Sequence, residues 1–343
     1  MKDYFSCNFF NSDFKISSKF EVLQDEIVYV GGKHFKKIAN TYRCQWVPNE
    51  GIRKELPFVL IPIKNNSNLI KYVFTNFKNN KFYDFCNIIL IDDRSKENLQ
   101  KIAKQFNVSY LRIDNNKGFN FSMLNNIAAL VSHKLGAKEI VLWNSDLWLE
   151  KIEHFHSLME KHKNSFSTIS GSKLLYPLTS VVDGDSVNIK NHFPSKGEGE
   201  YKGKVQFGGV RWAFSGFEEK SGQAIYLPVH YKRFADKKDP CVNCEMGTEF
   251  VTGALQVIDL EWFIKIGGLN PSLSKVYQDV DLCLRAIEDS RSVMYFGKNM
   301  HFYHDESYNH FSNDGERKVD DQFVSDSKLF NKIWSKKIHS LIF

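Results

Sequence analysis

The chain has 343 residues, of which 42% are hydrophobic, enough for a sizeable core in one large domain or two smaller ones. The 46 lysines and arginines outnumber the 40 acidic residues, but this net charge of +6 is mixed along the sequence and excludes the clustered basic face of a nucleic-acid-binding protein. No signal-peptide pattern is present and no apolar run approaches the roughly 20 residues that span a bilayer, so a cytoplasmic location is expected.

The six cysteines are too few and too scattered for a disulfide framework, so reduced thiols are expected. Cys241 and Cys244 form a C-x-x-C pair. A zinc site would need two more ligands, and none has the usual paired spacing, although His230 and His301 could be recruited by folding. Free thiols in a loop are the favoured interpretation.

The first 55 residues show no sustained hydrophobic period. Gly31 and Gly32 indicate a turn between two short strands, at 26–30 and 35–38. This segment is predicted to be a small appended module or a wrapping arm.

Between residues 57 and 146 the sequence alternates between continuous apolar runs of strand length and helical patterns. The alternation predicts a mainly parallel sheet with helices on both faces and right-handed crossovers. The predicted strands cover 57–63, 87–93, 108–113 and 139–146. The predicted helices lie at about 69–77, 95–106 and 121–135, and Ser95 is expected to open the second of them.

Polar side chains follow each predicted strand at its carboxyl end, where ligands bind in sheets of this kind. These groups are Lys64 and Asn65; Asp92 and Asp93; residues 115–118; and Asn144, Ser145 and Asp146. Because the ends of parallel strands meet at one edge of the sheet, four polar clusters are expected to converge there.

The second half of the chain is less regular. The pattern loosens from about residue 155, and the stretch at about 176–225 is too long for an ordinary connector, which indicates a functional or mobile segment. Order returns with a strand-like start at residue 250, a helix at 259–266 that stops at a Gly-Gly pair, and a second helix start near residue 278. A strand then reaches His304, and the tail at 320–343 is amphipathic and basic.

The carboxylates at the strand ends have ordinary explanations as well as functional ones. Asp92 and Asp93 could be turn or cap residues, with Asp93 partly capping the helix near Ser95. Asp146 could be a turn residue, or it could bind Mg²⁺ or Mn²⁺ together with a diphosphate.

Three further residues also leave two interpretations open. Asp279 and Asp281 stand at a predicted helix start, where acidic residues act as caps and suit the macrodipole. His304 is a single histidine, which is more often a surface or core residue than a ligand, unless it shares an ion with Asp146.

Several familiar nucleotide and hydrolase motifs are absent. The sequence contains no G-x-x-x-x-G-K-[ST], no G-x-G-x-x-G after the first strand and no G-x-S-x-G. Kinase, dinucleotide and hydrolase chemistry are therefore disfavoured. The acidic sheet edge instead suits a nucleotide whose diphosphate is held through a metal.

An ordered series of short motifs between residues 57 and 304 carries a family resemblance. The series is FVLIPIKNN, IILIDDRS, NNKGFNFSMLNN, VLWNSD, KLLYP, Gly208-Gly209, FVTGALQVIDLEWFIKIGGLN, QDVDLCLR and FYHDES. The second to fourth are similar to V-D-D-x-S, N-x-G-F-x-x-x-N-N and L-L-N-x-D of the inverting GT-A glycosyltransferases of family 2, particularly the rhamnosyltransferase-like branch. Each motif is weak alone, but their order makes the similarity strong.

The resemblance implies an α/β GT-A fold, with a mainly parallel, Rossmann-like sheet and helices on both faces. It places the GT-A domain at 56–310, with a nucleotide-binding half at 56–150 and an acceptor-binding half at 151–310. A small N-terminal extension, 1–55, matches nothing in the family. A C-terminal helical tail, 311–343, completes the expected organisation.

The resemblance also implies roles for individual residues. Asp279 is the implied catalytic general base, and Asp146 the implied ligand of a Mg²⁺ or Mn²⁺ ion on the donor diphosphate, with His304 as second ligand. The implied binding residues for a UDP-, dTDP- or GDP-linked sugar are Pro62, Lys64, Asn65, Asp92, Asp93, Asn116, Lys117, Gly118, Asn126, Asn144 and Ser145. The residues implied to contact the acceptor or support the site are Gly209, Thr252, Gly253, Gln278, Asp281 and Arg285.

The implied activity is inverting transfer of a hexose from a nucleotide sugar to a hydroxyl of a glycan or glycolipid, in lipopolysaccharide or capsule synthesis. Two residues depart from the family pattern: Gln278 replaces the usual Glu, and Asn144 stands where other GT-A branches have Asp. One alternative is a sugar nucleotidyltransferase, disfavoured because the loop KNNSN lacks a Gly-rich basic signature. Another is a catalytically inactive nucleotide-sugar-binding subunit.

The basic tail raises a separate question about partners. It could make peripheral contact with the inner face of an anionic membrane, although packing of a helix on the domain is favoured. No nucleic-acid partner is expected, and the oligomeric state is open.

Overall fold

The computed structural model describes residues 16–30, 34–114, 118–178, 180–182, 185–187, 201–217, 222, 224–305 and 321–342. The predicted turn at 31 and 32 and the predicted donor contacts Asn116 and Lys117 therefore lie outside the described residues. Much of the irregular stretch at 176–225 lies outside them as well.

The described residues form eighteen strands. They are β1 (Lys19–Val30), β2 (His34–Val47), β3 (Phe58–Ile63), β4 (Asn87–Asp92), β5 (Ser109–Asp114), β6 (Glu139–Trp143), β7 (Leu147–Leu149), β8 (Ile169–Ser172), β9 (Leu174–Leu175), β10 (Ser180–Val182), β11 (Asp185–Val187), β12 (Val205–Phe207), β13 (Val210–Phe217), β14 (Ala224–His230), β15 (Glu245–Gly247), β16 (Leu255–Asp259), β17 (Val293–Phe296) and β18 (Phe302–His304).

Seven α-helices lie among the same residues. They are α1 (Ser67–Asn79), α2 (Leu99–Gln105), α3 (Phe121–Lys134), α4 (Ile152–Asn164), α5 (Leu260–Lys265), α6 (Gln278–Glu288) and α7 (Asp321–Ile342).

A ten-stranded mixed sheet forms the centre of the fold, in the order β1-β2-β5-β4-β3-β6-β16-β8-β17-β15. The four strands predicted from the apolar runs, β5, β4, β3 and β6, are parallel neighbours. Every residue of β3 and β4 is buried, as expected when both faces of a strand are covered. The α/β GT-A architecture expected from the sequence is confirmed, and antiparallel pairs join the sheet on both sides of this parallel centre.

The N-terminal segment is continuous with this sheet. β1 and β2 form a long antiparallel hairpin, and β2 pairs antiparallel with β5, so that Trp46 lies opposite Leu111. Apolar side chains from the hairpin are buried in the same core as the central strands, namely Phe20, Val22, Tyr42, Cys44 and Trp46. The two predicted strands are therefore real and longer than expected, while the domain boundary at residue 55 stays a prediction.

A second, four-stranded sheet has the order β12-β9-β18-β7. In it β18 pairs antiparallel with β7, so that Phe302 lies opposite Leu149 and His304 opposite Leu147. The sequence pattern predicted one strand reaching His304, but the chain forms two, β17 in the large sheet and β18 in the small one. The turn between them moves His304 out of the central sheet and beside the residues that follow β6.

Two helices differ from the prediction. α2 begins at Leu99, where the side chain of Asn98 accepts a hydrogen bond from the backbone N–H of Lys101. Ser95 does not open this helix, because its hydroxyl accepts a hydrogen bond from the N–H of Asn65 instead. α4 was not predicted at all, since two histidines interrupt its buried apolar face, which comprises His154, Phe155, Leu158, Met159 and His162.

The C-terminal tail forms α7 and packs on the domain. Its buried apolar side chains are Leu329, Phe330, Trp334 and Ile338. Phe330 stacks on Tyr277, the residue before α6, with ring centroids 4.7 Å apart. The favoured interpretation of a packed helix is therefore confirmed, and contact of this helix with a membrane stays a prediction.

Candidate functional site

The direction of the strand order reverses at β3. From β3 the chain adds β4 and then β5 on one side, and β6 is placed on the other side. In open α/β sheets a crevice forms at such a reversal, outside the carboxyl ends of the strands, and ligands bind there. Leu60 of β3 is paired with Leu142 of β6, which brings the residues after both strands to one edge.

The loop after β3 is tied to the loop after β4. Lys64 Nζ lies 3.1 Å from Oδ2 of Asp93, whose carboxylate is fully buried. Asn65 has the left-handed φ of 60°, which asparagine tolerates better than most residues. Its N–H donates to Ser95 Oγ at 2.6 Å, and its Oδ1 accepts from the N–H of Lys96 at 2.9 Å. The structure therefore brings together Lys64, Asn65 and Asp93 as predicted neighbours.

Asp92 lies beside these residues but faces inward. Its Oδ1 accepts from the N–H of Ser95 at 2.8 Å, and its Oδ2 accepts from the Tyr110 hydroxyl at 2.6 Å and from Arg112 Nη1 at 2.9 Å. Burial, together with this neighbouring carboxylate, raises the pKa of Tyr110. Because both oxygens of Asp92 are engaged, it supports the loop in this structure. Tyr110 and Arg112 were missed because their position depends on the pairing of β4 with β5.

The turn after β6 presents Asp146. Trp143 is fully buried, and its indole N–H donates to the carbonyl of Leu147 at 2.8 Å. The N–H of Leu147 in turn donates to the carbonyl of Asn144 at 3.1 Å. These two bonds fix residues 144–147 as a tight turn. Asp146 and the partly buried Ser145 therefore emerge at the sheet edge.

Asp146 and His304 come together from different strands. His304 Nε2 lies 3.2 Å from Asp146 Oδ1, and both side chains are more than 90% buried. The N–H of Asp305 donates to the carbonyl of Asp146 at 2.9 Å, which continues the pairing of β18 with β7. Asn144 Nδ2 also lies 3.2 Å from His304 Nε2. The predicted metal-binding pair is thus in contact.

Gln206 orients the imidazole of His304 and was not singled out from the sequence. Its Nε2 donates to the carbonyl of His304 at 3.2 Å, so its Oε1 faces His304 Nδ1 at 2.6 Å and accepts a proton from it. This assignment leaves Nε2 of His304 as the acceptor of the hydrogen bond from Asn144 Nδ2, 3.2 Å from the Asp146 carboxylate. A ligating histidine usually donates its other N–H to an oxygen in this way.

The donor set fits a divalent cation. Two oxygen or nitrogen ligands at right angles, each about 2.1 Å from Mg²⁺ or Mn²⁺, lie about 3 Å apart, close to the 3.2 Å between Asp146 Oδ1 and His304 Nε2. Two electron-pair donors at this distance are stabilised by a shared cation. Asp146 and His304 can therefore hold the metal that the resemblance implies.

Asp279 opens α6 and is held by backbone groups. Its Oδ2 accepts from the N–H of Gly253 at 2.7 Å, and its Oδ1 accepts from the N–H of Val280 at 2.9 Å. Burial raises the pKa of this carboxyl, although the backbone hydrogen bonds act in the opposite direction. A Cβ atom added to Gly253 would lie 3.1 Å from Cβ of Asp279, closer than side chains usually pack, so a larger residue here would push against Asp279.

A short chain of contacts connects Asp279 to the metal-binding pair. Gly253, which donates to Asp279, is followed by Ala254, whose carbonyl accepts from the N–H of Asn144 at 3.0 Å. Asn144 then reaches His304 through its side chain. The pairing of β16 with β6, with Leu255 opposite Trp143, holds this arrangement in place.

The neighbours of Asp279 on α6 have different surroundings. Gln278 is buried, and its Oε1 has no hydrogen-bond partner. Asp281 accepts from Arg285 Nε at 2.9 Å and from Trp334 Nε1 at 2.9 Å. Arg285 also donates to the carbonyl of Gly268 at 2.7 Å. Asp281 and Arg285 thus hold α6 in place.

The remaining predicted residues are dispersed. Asn126 is fully buried, and its amide bonds to both the N–H and the carbonyl of Leu269 at 2.8 Å, so it joins α3 to the turn after α5. Pro62 is buried within β3, Gly118 is exposed, and Thr252 is buried next to Gly253. Gly209 has a φ of 107° and precedes β13.

Cys241 and Cys244 are free thiols, with Cys241 exposed. Cys244 Sγ lies 3.4 Å from the carbonyl of Cys241. Of the two histidines considered as further ligands, His230 bonds to the carbonyl of Gln206 and His301 lies against Glu150. Within the described part of the chain, no third metal ligand joins the two cysteines.

The sheet order, the small second sheet and the acidic edge define an α/β protein of the GT-A type. Its structure is similar to one described as "Crystal structure of GalNAc-T7 with UDP, GalNAc and Mn2+", with a TM-score of 0.54 and 12% sequence identity, over 83% of this chain and 49% of that chain. The chain therefore spans about half the length of that neighbour. At 12% sequence identity, this likeness is evidence for a shared fold and for nothing further.

A comparison of the sequence with protein families adds a second likeness. Residues 58–198 match the family model Glycosyl transferase family 2. The match includes Asp93 and Asp146. No curated protein matches the sequence.

A further structural likeness is weaker. It is to a mannosyltransferase from Pyrobaculum calidifontis in complex with GDP-Man and Mn2+, with a TM-score of 0.43 and 10% identity over 76% of this chain and 60% of that chain. This score is too low to carry an argument. None of the helices in the described ranges combines the length and apolar character that a bilayer crossing requires.

Proposed function

We propose that the protein is a metal-assisted inverting glycosyltransferase, which transfers a hexose from a nucleotide sugar to a hydroxyl of a glycan or glycolipid in surface polysaccharide synthesis. The observation that carries the proposal is the pairing of Asp146 with His304, linked through Asn144 and Gly253 to the carboxylate of Asp279. The family 2 match over residues 58–198 supports it, as do the UDP and Mn²⁺ bound to the GT-A neighbour.

The donor is assigned to the edge formed by β3, β4 and β6. Lys64, Asn65 and Asp93 are assigned to its nucleotide side, where the buried Asp93 carboxylate holds Lys64 in place. Asp146 and His304 would hold Mg²⁺ or Mn²⁺ against the diphosphate. Asp92 and Asn126 are assigned to support, because their polar atoms are already satisfied by the protein.

Asp279 is assigned as the general base. Its carboxylate would take the proton of the acceptor hydroxyl while the hydroxyl oxygen attacks the anomeric carbon, and the bond from that carbon to the diphosphate breaks with its electron pair leaving on the diphosphate. A bound divalent cation would stabilise the negative charge of the departing group. Gly253 and Val280 hold the carboxylate in position.

The activity can be tested by incubating the protein with Mn²⁺, an acceptor panel of glycolipids and polysaccharide fragments, and UDP-, GDP- and dTDP-sugars. The measurement is release of nucleoside diphosphate together with the anomeric configuration of the product. Inversion at the anomeric carbon is expected. Release without transfer would remove the proposed acceptor class, and binding of nucleotide sugars without any turnover would indicate the inactive binding subunit.

The role of Asp279 can be tested with Asp279→Asn, which keeps the size of the side chain but cannot accept the proton. Transfer is expected to fall by at least about a hundredfold, within the range for loss of a general base, while donor binding measured by calorimetry changes little. Asp84→Asn is the matched control, because Asp84 is exposed and lies before β4. Unchanged transfer in Asp279→Asn would exclude it as the base.

A further inference from the structure

We propose that Glu150, His154 and His301 form a second divalent-metal site, suited to Zn²⁺ and separate from the pair Asp146 and His304. One ligand atom from each of the three residues lies within 4.8 Å of the other two. Among the described residues, these three are the His, Cys, Asp or Glu side chains whose ligand atoms lie this close together. The proposal does not depend on the glycosyltransferase activity.

The topology brings these residues together from three elements. Glu150 directly follows β7, His301 directly precedes β18, and His154 lies in the first turn of α4. Because β7 and β18 are antiparallel, with Phe302 opposite Leu149, Glu150 and His301 meet at one end of the strand pair. Asp146 and His304 meet at the other end, which three residues of strand place about 10 Å away.

The hydrogen bonds of His154 leave its second nitrogen without a proton. Its Nδ1 lies 2.8 Å from the carbonyl of His301 and donates to it. In the neutral ring the lone pair is then on Nε2, which faces Glu150 Oε2 at 3.9 Å. A lone pair directed at a carboxylate is unfavourable by itself and becomes favourable with a cation between them.

His301 supplies an independent observation. Its side chain is more than 90% buried, and its Nε2 has no hydrogen-bond partner, although Glu150 Oε2 lies 2.9 Å away. The distance is short, but the two groups are not aligned for a hydrogen bond. A buried nitrogen that makes no hydrogen bond and lies 2.9 Å from a carboxylate oxygen matches a ligand position better than it matches a stable core contact.

The chemistry of the three donors selects the ion. Two neutral imidazoles and one carboxylate form a donor set typical of Zn²⁺ sites that keep an open fourth position. Burial lowers the pKa of both rings, to about 4 for His301, so both are neutral at pH 7. Glu150 is exposed, which gives an ion access from solvent.

Two neighbours of Glu150, Tyr303 and Lys237, affect metal binding in opposite ways. The Tyr303 hydroxyl donates to Glu150 Oε1 at 3.3 Å, which holds the carboxylate so that Oε2 faces the histidines. Lys237 Nζ lies 3.8 Å from the same Oε1 and competes for the carboxylate. Since Lys237 is partly exposed and contacts the other oxygen, it can move aside without disturbing the histidines.

The test is zinc uptake measured by equilibrium dialysis at pH 7.5. A Cys241→Ser/Cys244→Ser background removes the C-x-x-C thiols as competing ligands. In it, His301→Ala and Glu150→Gln are expected to weaken binding of one zinc equivalent by at least about tenfold. His133→Ala removes an exposed histidine of α3 and is the matched control. Asp146→Asn is expected to retain this equivalent, which distinguishes the two sites.

Two further measurements strengthen the test. Co²⁺ bound at the site should give the visible absorption of a tetrahedral ion, and His301→Ala should lose it. Zinc should also raise the melting temperature of the background protein but not that of Glu150→Gln, because a ligand that binds the folded state stabilises it. Equal zinc affinity in all variants, or no uptake by the background protein at micromolar zinc, would overturn the proposal.

Discussion

Asp279 is oriented by backbone groups and not by another charged side chain. The N–H groups of Gly253 and Val280 reach its two oxygens, and the raised pKa results from burial. Its position therefore depends on how closely the backbone of Gly253 can approach.

Gly253→Ala is expected to displace the base. The new Cβ would lie 3.1 Å from Cβ of Asp279, so Asp279 must move by a few tenths of an ångström to make room. Displacement of the Asp279 carboxylate should lower kcat by about ten- to a hundredfold, with little change in donor affinity. Gly247→Ala is the control, because a Cβ there meets nothing within 4 Å. Equal kcat in the two variants would contradict this account.

The pH dependence of transfer follows from the same residue. The base must be ionised, so kcat/KM is expected to fall as the pH is lowered through the pKa of Asp279. Because burial raises that pKa, the midpoint of the fall should lie above about 4, the ordinary value for aspartate. A pH profile of kcat/KM measures it. A midpoint at or below the ordinary value would show that another group limits the rate.

At the scale of elements, α7 supports the helix that carries Asp279. Trp334 donates to Asp281 from within a buried contact, and Asp326 Oδ2 accepts from the N–H of Lys275 at 2.7 Å and of Val276 at 3.1 Å, just before α6. α7 therefore braces both α6 and the loop before it.

Trp334→Phe tests this support. The variant keeps most of the buried ring but removes the donor to Asp281, which leaves a buried carboxylate oxygen without that partner. A loss of about 1–3 kcal/mol in the free energy of unfolding is expected, measured by denaturant titration. Trp212→Phe is the matched control, because the indole N–H of Trp212 is buried without a hydrogen-bond partner. A comparable loss in the control would show that ring size, and not the hydrogen bond, matters.

Strands and helices could be predicted from the sequence where the apolar residues follow a single pattern, either a continuous run or helical spacing. The apolar runs of β3, β4 and β6 and the helical spacing of α1 and α3 are of this kind. Prediction failed for α4, because His154 and His162 lie on its buried face and read as polar. The spacing of Glu150 and His154, one helical turn apart, was the signal that could have drawn attention to that region.

The site was less predictable than the strands that carry it. The residues that end single strands, such as Asp93 and Asp146, can be recognised because polar groups there interrupt an apolar run. Gln206 and Arg112 act on residues far away in sequence, His304 and Asp92, and only strand pairing brings them near. Contacts that depend on pairing register are not visible in local patterns.

At the scale of the whole molecule, the β1–β2 hairpin covers the edge of β5. Without it, β5 would present unpaired backbone groups, and the core would lose the buried side chains of the hairpin, such as Trp46. The N-terminal segment therefore contributes to the same core as the donor site.

A chain that begins at residue 56 tests the expected domain boundary. Loss of the hairpin should lower the melting temperature and promote self-association through the open edge of β5. Circular dichroism and light scattering measure the two effects. A monomer with an unchanged melting temperature would instead show that the domain at 56–310 and its tail fold independently of residues 1–55.

The contact between Asp281 and Trp334 has a consequence for biosynthesis. The two residues are 53 positions apart, a stretch that takes a ribosome about 3–10 s to translate. During that interval the strands of the donor side have already been made, while the helix that carries Asp279 lacks its brace. A nascent chain is therefore expected to acquire the ability to hold a nucleotide before it acquires the ability to transfer a sugar.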